Sequence, residues 1–297
     1  MTEASRNFPA SAEAATSLHE AYAYCMAITR GHYENFPVAA LFLPRRLRRP
    51  ISAIYAFART ADDLADEGQR TKAERLKLLD EYDRTIDALS SNVTVMNNPI
   101  FVALRDVIEK YNVRPESFHE LLTAFRMDVT ETRYANFDKV LHYCRYSANP
   151  VGHLVLQLSN AGTPENVSYS DSICTALQLV NFLQDIEQDY RENGRIYLPQ
   201  DEMADCRVSE SDIAECRNTP ALKRLIDIQI HRARRMLEFG RPLGSRLGGR
   251  LGLQIRLTVH GGLRVLEAID SGTDVFSRPR LGIRDWAVIA VRALAGK

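Results

Sequence analysis

Apolar residues return at spacings of three and four along almost the whole chain, the period of helices that bury one face. That pattern predicts helices over about 14–30, 50–66, 72–90, 98–111, 115–133, 137–160, 166–192, 219–240, 250–271 and 283–295. Start signals accompany several of them: Pro50 and Pro115 at first-turn positions, Asn136 as a cap before FDKVLHYC, and Thr219 followed by Pro220. Only GRIYLP, Gly194 to Pro199, reads as extended. The glycines of GSRLGGRLG follow no strand, which argues against a dinucleotide fold. There is no internal repeat, low-complexity stretch or Pro/Gly/Ser linker. The expected fold class is therefore all-α: a polar, flexible tail over 1–12 without the apolar core of a signal peptide, then a single all-α domain over 13–297.

In two places the helical stripe carries carboxylates instead of apolar side chains. Asp62, Asp63 and Asp66 lie in ARTADDLADEG, and Asp62 continues the stripe Ile51, Tyr55, Ala58. Asp185 and Asp189 follow ALQLVNFL, which is apolar nearly all round and reads as a buried helix. A separation of four residues advances about 6 Å and returns to nearly the same face. Asp62 and Asp66 thus point one way, as do Asn181, Asp185 and Asp189. A solvated face is the ordinary meaning of acids four apart. Buried carboxylates need cations, however, and two such ladders facing each other would hold Mg²⁺ ions and, through them, a diphosphate. A second irregularity is Pro150 in YCRYSANPVGHLVLQLSNAG, whose ring clashes with the carbonyl of Tyr146 and predicts a kink or break. Either the helix simply ends there, or the freed carbonyl and small side chains make room for a ligand or a water.

Composition narrows the function classes. Lys plus Arg and Asp plus Glu both number 38, so no basic footprint points to nucleic acid. The apolar share of 45% with 26% charged is ordinary for a globular protein. Arg45, Arg46, Arg48 and Arg49 form the one strong basic cluster, either a solvated helix start or a contact for phosphate or anionic lipid. The cysteines are odd in number (5) and form no CxxC, which suggests reduced thiols in a cytoplasmic protein. No run approaches the roughly 18 apolar residues that span a bilayer. The closing WAVIAVRALAGK is apolar on one side, and either packs on the body or lies at a membrane surface.

YxxxRxxDDxxDE (Tyr55, Arg59, Asp62, Asp63, Asp66, Glu67), YCRYSANPVG and QLVNFLQDIEQDYRENGRIYLP together resemble the squalene/phytoene synthase family, over about Thr29 to Pro279. The resemblance implies an isoprenoid-synthase-type helical bundle around a central cavity, with an isoprenoid diphosphate as substrate. It implies that Asp62, Asp63, Asp66, Asn181, Asp185 and Asp189 surround Mg²⁺ and diphosphate. Tyr55 and Arg59 then meet the substrate head, Gln178 lines the cavity, and Tyr143 lies beside the reacting carbons. Three departures from the family pattern are visible. A Ser-x-Ser-Phe start is replaced by His32, Tyr33, Glu34, Asn35 and Phe36; NILRD reads NFLQD, with Gln184 for an arginine; and a small VAG reads SANPVG, adding Ser147, Asn149 and Pro150. Together they resemble the branch that makes hydroxysqualene in hopanoid-producing bacteria, where presqualene diphosphate is ionised and rearranged and water captures the last cation.

That branch implies a carbon–oxygen lyase with Mg²⁺ and no NADPH. It also implies a cytoplasmic location, open to peripheral contact with the inner membrane, and neighbouring hopanoid-pathway enzymes as candidate partners. Ser147 and Asn149 would hold the water, unless they merely bond helix to helix. The base is the retained diphosphate, His32 or Tyr143. The alternatives are a transferase joining two farnesyl diphosphates into presqualene diphosphate or squalene, and a non-catalytic isoprenoid-binding protein.

Overall fold

In a computed structural model of the protein the described residues are 16–31, 43–89 and 98–295. The expectations for His32, Tyr33, Glu34, Asn35, Phe36 and the 1–12 tail fall outside them. The described chain is helical almost throughout. Its first half runs α1 (Leu18–Gly31), α2 (Arg45–Asp66), α3 (Lys72–Leu89), α4 (Pro99–Tyr111), α5 (Glu116–Thr130), α6 (Phe137–Ser147) and α7 (Asn149–Leu158). Its second half runs α8 (Pro164–Gln184), α9 (Ile186–Asn193), α10 (Gln200–Cys206), α11 (Glu210–Ala214), α12 (Pro220–Gly240), α13 (Pro242–Leu247), α14 (Gly249–Asp270) and α15 (Ile283–Ala295). Among the described residues, extended pairing is confined to an isolated parallel bridge between Arg133 and Ile196.

The apolar stripes close into two main clusters. One joins α1–α5 with Leu154 and Leu158 of α7. Its aromatic centre sets Phe57 edge-on to Phe118 at 5.3 Å and stacked on Tyr82 at 5.5 Å. The other joins α6, α7, α8, α12 and α14 through residues such as Val140, Leu156, Ala176, Leu225, Leu237 and Val259. Close approach of helices depends on two glycines. A Cβ on Gly152 would stand 2.2 Å from Ser170 Oγ, and one on Gly240 would stand 2.7 Å from the carbonyl of Tyr169. No helix of the described residues is long and apolar enough to cross a membrane.

Three interruptions differ from the periodicity. α2 begins at Arg45, so Pro50 lies inside it and not in its first turn. The ring removes the N–H that would meet the carbonyl of Arg46, and the hydroxyl of Tyr111 donates to that carbonyl instead, at 3.2 Å. The helix expected over 137–160 is two: Ala148 breaks it, and Pro150 sits in the first turn of α7, where a missing N–H costs little. The helix expected over 166–192 also divides, at Asp185, whose backbone (φ −113, ψ 19) leaves the helical region.

Candidate active site

The last turns of α2 bring Tyr55, Arg59, Asp62, Asp63 and Asp66 to one end of the first cluster. Arg59 spreads its guanidinium over three acids, 3.2 Å from Asp62, 2.6 Å from Asp63 and 2.9 Å from Glu67. Tyr55 is half-buried one turn earlier, and burial raises its hydroxyl above the ordinary phenol range. Asp66 turns toward a different partner. Arg195 donates to both its oxygens, at 3.1 and 2.5 Å, and to the backbone carbonyl of Asp128 at 2.9 Å. Arg195 comes from GRIYLP, which the sequence marked as extended and left without chemistry. The segment is pinned on both sides. Gly194 takes the left-handed φ of 62 that ends α9, and the N–H of Ile196 donates to the carbonyl of Thr132 at 3.0 Å.

Arg195 is the cation common to the two aspartate ladders. Its charge acts on Asp62 of the first and on Asp189 of the second, besides Asp66 and Asp128. Burial opposes that charge, yet the bond from Asp66 and the fields of the neighbouring acids hold Arg195 firmly protonated. The acids feel the crowding. Burial, then the neighbouring Asp66, pushes Asp62 up to about 6. Burial, then Asp185, pushes Asp189 up to about 7, and burial raises Asp185 as well.

On the second ladder Gln178 and Asn181 are half-buried, two turns and one turn before Asp185. The break at Asp185 gives its carboxylate to Arg278, whose Nε lies 2.7 Å from Oδ1 and whose Nη2 donates to Oδ2 at 3.2 Å. Gln184 does not leave the ladder without a guanidinium: its amide donates to the carbonyl of Pro279 at 3.1 Å and so holds Arg278 in place.

Behind the acids stands an aromatic wall. Tyr197 stacks on Phe182 at 3.7 Å with 6° between the rings, and Tyr143 and Tyr134 lie 5.5 and 5.4 Å from Tyr197. The Tyr143 hydroxyl donates to Asp128 Oδ2 at 3.1 Å. Burial lifts Tyr143 well above the phenol range and Asp128 up to about 7. One turn after Tyr143, Ser147 Oγ is buried without a hydrogen bond, as is Asp128 Oδ1. Asn149 ties α7 to α8, its Oδ1 accepting from Thr175 Oγ1 at 3.0 Å. Asp128, Arg195, Tyr197 and Arg278 are the site residues the sequence reading missed. Each sits outside the ladders' own spacing, and only the fold brings it in.

Among the described residues no three His, Cys, Asp or Glu side chains close on a metal-sized site, and Arg59, Arg195 and Arg278 lie against the carboxylates. The donor set nevertheless fits Mg²⁺. It is oxygen only, as a hard dication requires. Burial presses Asp62, Asp185 and Asp189 toward neutrality, which a bound dication would reverse.

The family model described as squalene/phytoene synthase matches residues 29–287. A hydroxysqualene synthase of Rhodopseudomonas palustris is 34% identical over 265 residues, covering 89% of this chain and 89% of its own length. A hydroxysqualene synthase of Zymomonas mobilis is 36% identical over 215 residues, 70% of this chain and 69% of that protein. The crystal structure of squalene synthase HpnC from Alicyclobacillus acidocaldarius superimposes with a TM-score of 0.79 at 36% identity, over 85% of this chain and 94% of that one.

Proposed function

The chain belongs to the squalene/phytoene synthase family, and from that premise we propose that it converts presqualene diphosphate into hydroxysqualene and diphosphate. As a member it is an isoprenoid synthase acting on prenyl diphosphates. The finer reading is supported by similarity to the two hydroxysqualene synthases. The observation that carries it is the pairing of a cation-lined carboxylate site with a buried aromatic wall, where the Tyr143 hydroxyl is followed one helical turn on by a buried Ser147 Oγ that has no hydrogen bond.

Mg²⁺, held by Asp62, Asp63, Asp66, Asn181, Asp185 and Asp189, would supply Lewis-acid neutralisation of the departing diphosphate. Arg59, Arg195 and Arg278 add fixed charge at the same place, and Tyr55, Gln178 and Asn181 complete the head-group contacts. Ionisation breaks the C–O bond and leaves a cyclopropylcarbinyl cation. Phe182, Tyr197 and Tyr143 shield it from bulk water, and an aromatic face adds about 0.5–2 kcal/mol of attraction. That cation rearranges with cleavage of a cyclopropane C–C bond to an open-chain allylic cation, and a water held near Ser147 and Tyr143, with Asn149 behind, forms the new C–O bond there. Burial keeps the Tyr143 phenol neutral, and its O–H donates a hydrogen bond to Asp128, so its oxygen orients that water but does not deprotonate it. The proton passes to the retained diphosphate.

The solved relative from Alicyclobacillus is named a squalene synthase, which favours a second reading in which hydride ends the same rearrangement. Purified protein incubated with presqualene diphosphate and Mg²⁺ separates the two. The alcohol is expected with or without NADPH. Squalene formed only with NADPH, or turnover of farnesyl diphosphate but not of presqualene diphosphate, would overturn the proposal.

A further inference from the structure

The outer face of α15 is built the wrong way round for a helix in water. Its inner side docks on α14 through Ile289 and Ala293, which pack with Leu257. At 100° per residue its exposed residues fall in an arc of about 140°: Ile283, Ala287, Val288, Val291, Leu294 and Ala295, with Arg284 as the one charge. Ile283 is 90% exposed, Val291 67% and Leu294 72%. Single apolar residues on a surface are ordinary. A contiguous stripe marks something that covers it.

Charge decides what that is. Arg284 lies in the arc and Arg280 just precedes the helix. Both are exposed, and neither makes an ion pair among the described residues. The nearby acids are turned inward and neutralised. Asp285 accepts from Arg264 at 2.7 Å and from the N–H of Gly282 at 2.8 Å, while Glu267 holds Arg264 and Arg292, each at 2.8 Å. An apolar stripe with unpaired arginines at one end and no free carboxylate suits an anionic lipid surface. The segment leading into it is the one that places Arg278 on Asp185, so a surface bound at α15 lies along the same stretch of chain as the second ladder.

We propose that α15 is an in-plane membrane contact that seats the protein on anionic lipid. The test is co-sedimentation of the full chain with phosphatidylcholine vesicles, with and without phosphatidylglycerol. The parent protein should pellet with the phosphatidylglycerol vesicles and be released by salt. I283N/V291N/L294N should lower the partition coefficient more than about tenfold, and R280Q/R284Q by about fivefold per charge. These side chains face outward, so thermal unfolding of the free variants should match the parent. A parent that stays in the supernatant, or an asparagine variant that pellets like the parent, would overturn the proposal. So would a parent that sediments as a dimer and becomes monomeric through V291N, since a second copy would then be the occupant.

Discussion

Arg195 sets the charge balance of the site, because four buried or half-buried acids depend on one guanidinium. Removing one member of such a pair leaves an uncompensated charge and costs about 3 kcal/mol or more. Arg195→Met should therefore lower stability by about that much in urea titration, whereas Glu67→Gln, at the exposed edge of the Arg59 fork, should change it by under about 1 kcal/mol. Equal effects would contradict the central place given to Arg195. The ladder carboxylates make the opposite trade. Asp62→Asn or Asp185→Asn should leave circular dichroism unchanged yet lower diphosphate release by about a hundredfold or more, since a fixed charge aimed at the leaving group is lost. Near-normal release in either variant would reject the ladders as the diphosphate site.

Helix by helix, the periodicity located the ladders because spacing alone places Asp62 over Asp66 and Asn181 over Asp185. It could not foresee the break at Asp185, since the residues around it keep helical spacing and the partners met there, Arg278 for Asp185 and Pro279 for Gln184, lie some ninety residues away. Pro150 announced its break because a ring clash is local. The place of Pro50 inside α2 was hidden because its remedy, Tyr111, lies in another helix. Arg195 and Asp128 were invisible for the same reason: each is a lone charge in an ordinary setting until α5, α2 and the segment after α9 meet. Packing that depends on glycine gives a prediction at this scale. Gly152→Val should destabilise by about 1–3 kcal/mol, the range for overpacking, because even a Cβ overlaps Ser170 Oγ. Full stability of that variant would mean α7 and α8 can separate freely.

At the scale of the whole molecule, the charge gathered where the two ladders meet is pH-dependent. Asp62 near 6 and Asp189 near 7 both titrate above ordinary aspartate. Between the usual aspartate range and about pH 7 the folded state thus binds more protons than the unfolded one, and the metal-free protein loses stability as pH rises through that window. Mg²⁺ binds the ionised acids, so its stabilisation should grow over the same window. Melting temperatures with EDTA and with Mg²⁺ should diverge from about pH 5 to about pH 8, and a gap that stays constant would contradict the ladders as the metal site. The most direct measurement concerns the oxygen of the product. Turnover of presqualene diphosphate in ¹⁸O-water should give hydroxysqualene carrying one labelled hydroxyl oxygen, with or without NADPH and as a single stereoisomer. Unlabelled squalene as the main product in the presence of NADPH would contradict capture by water inside the protein.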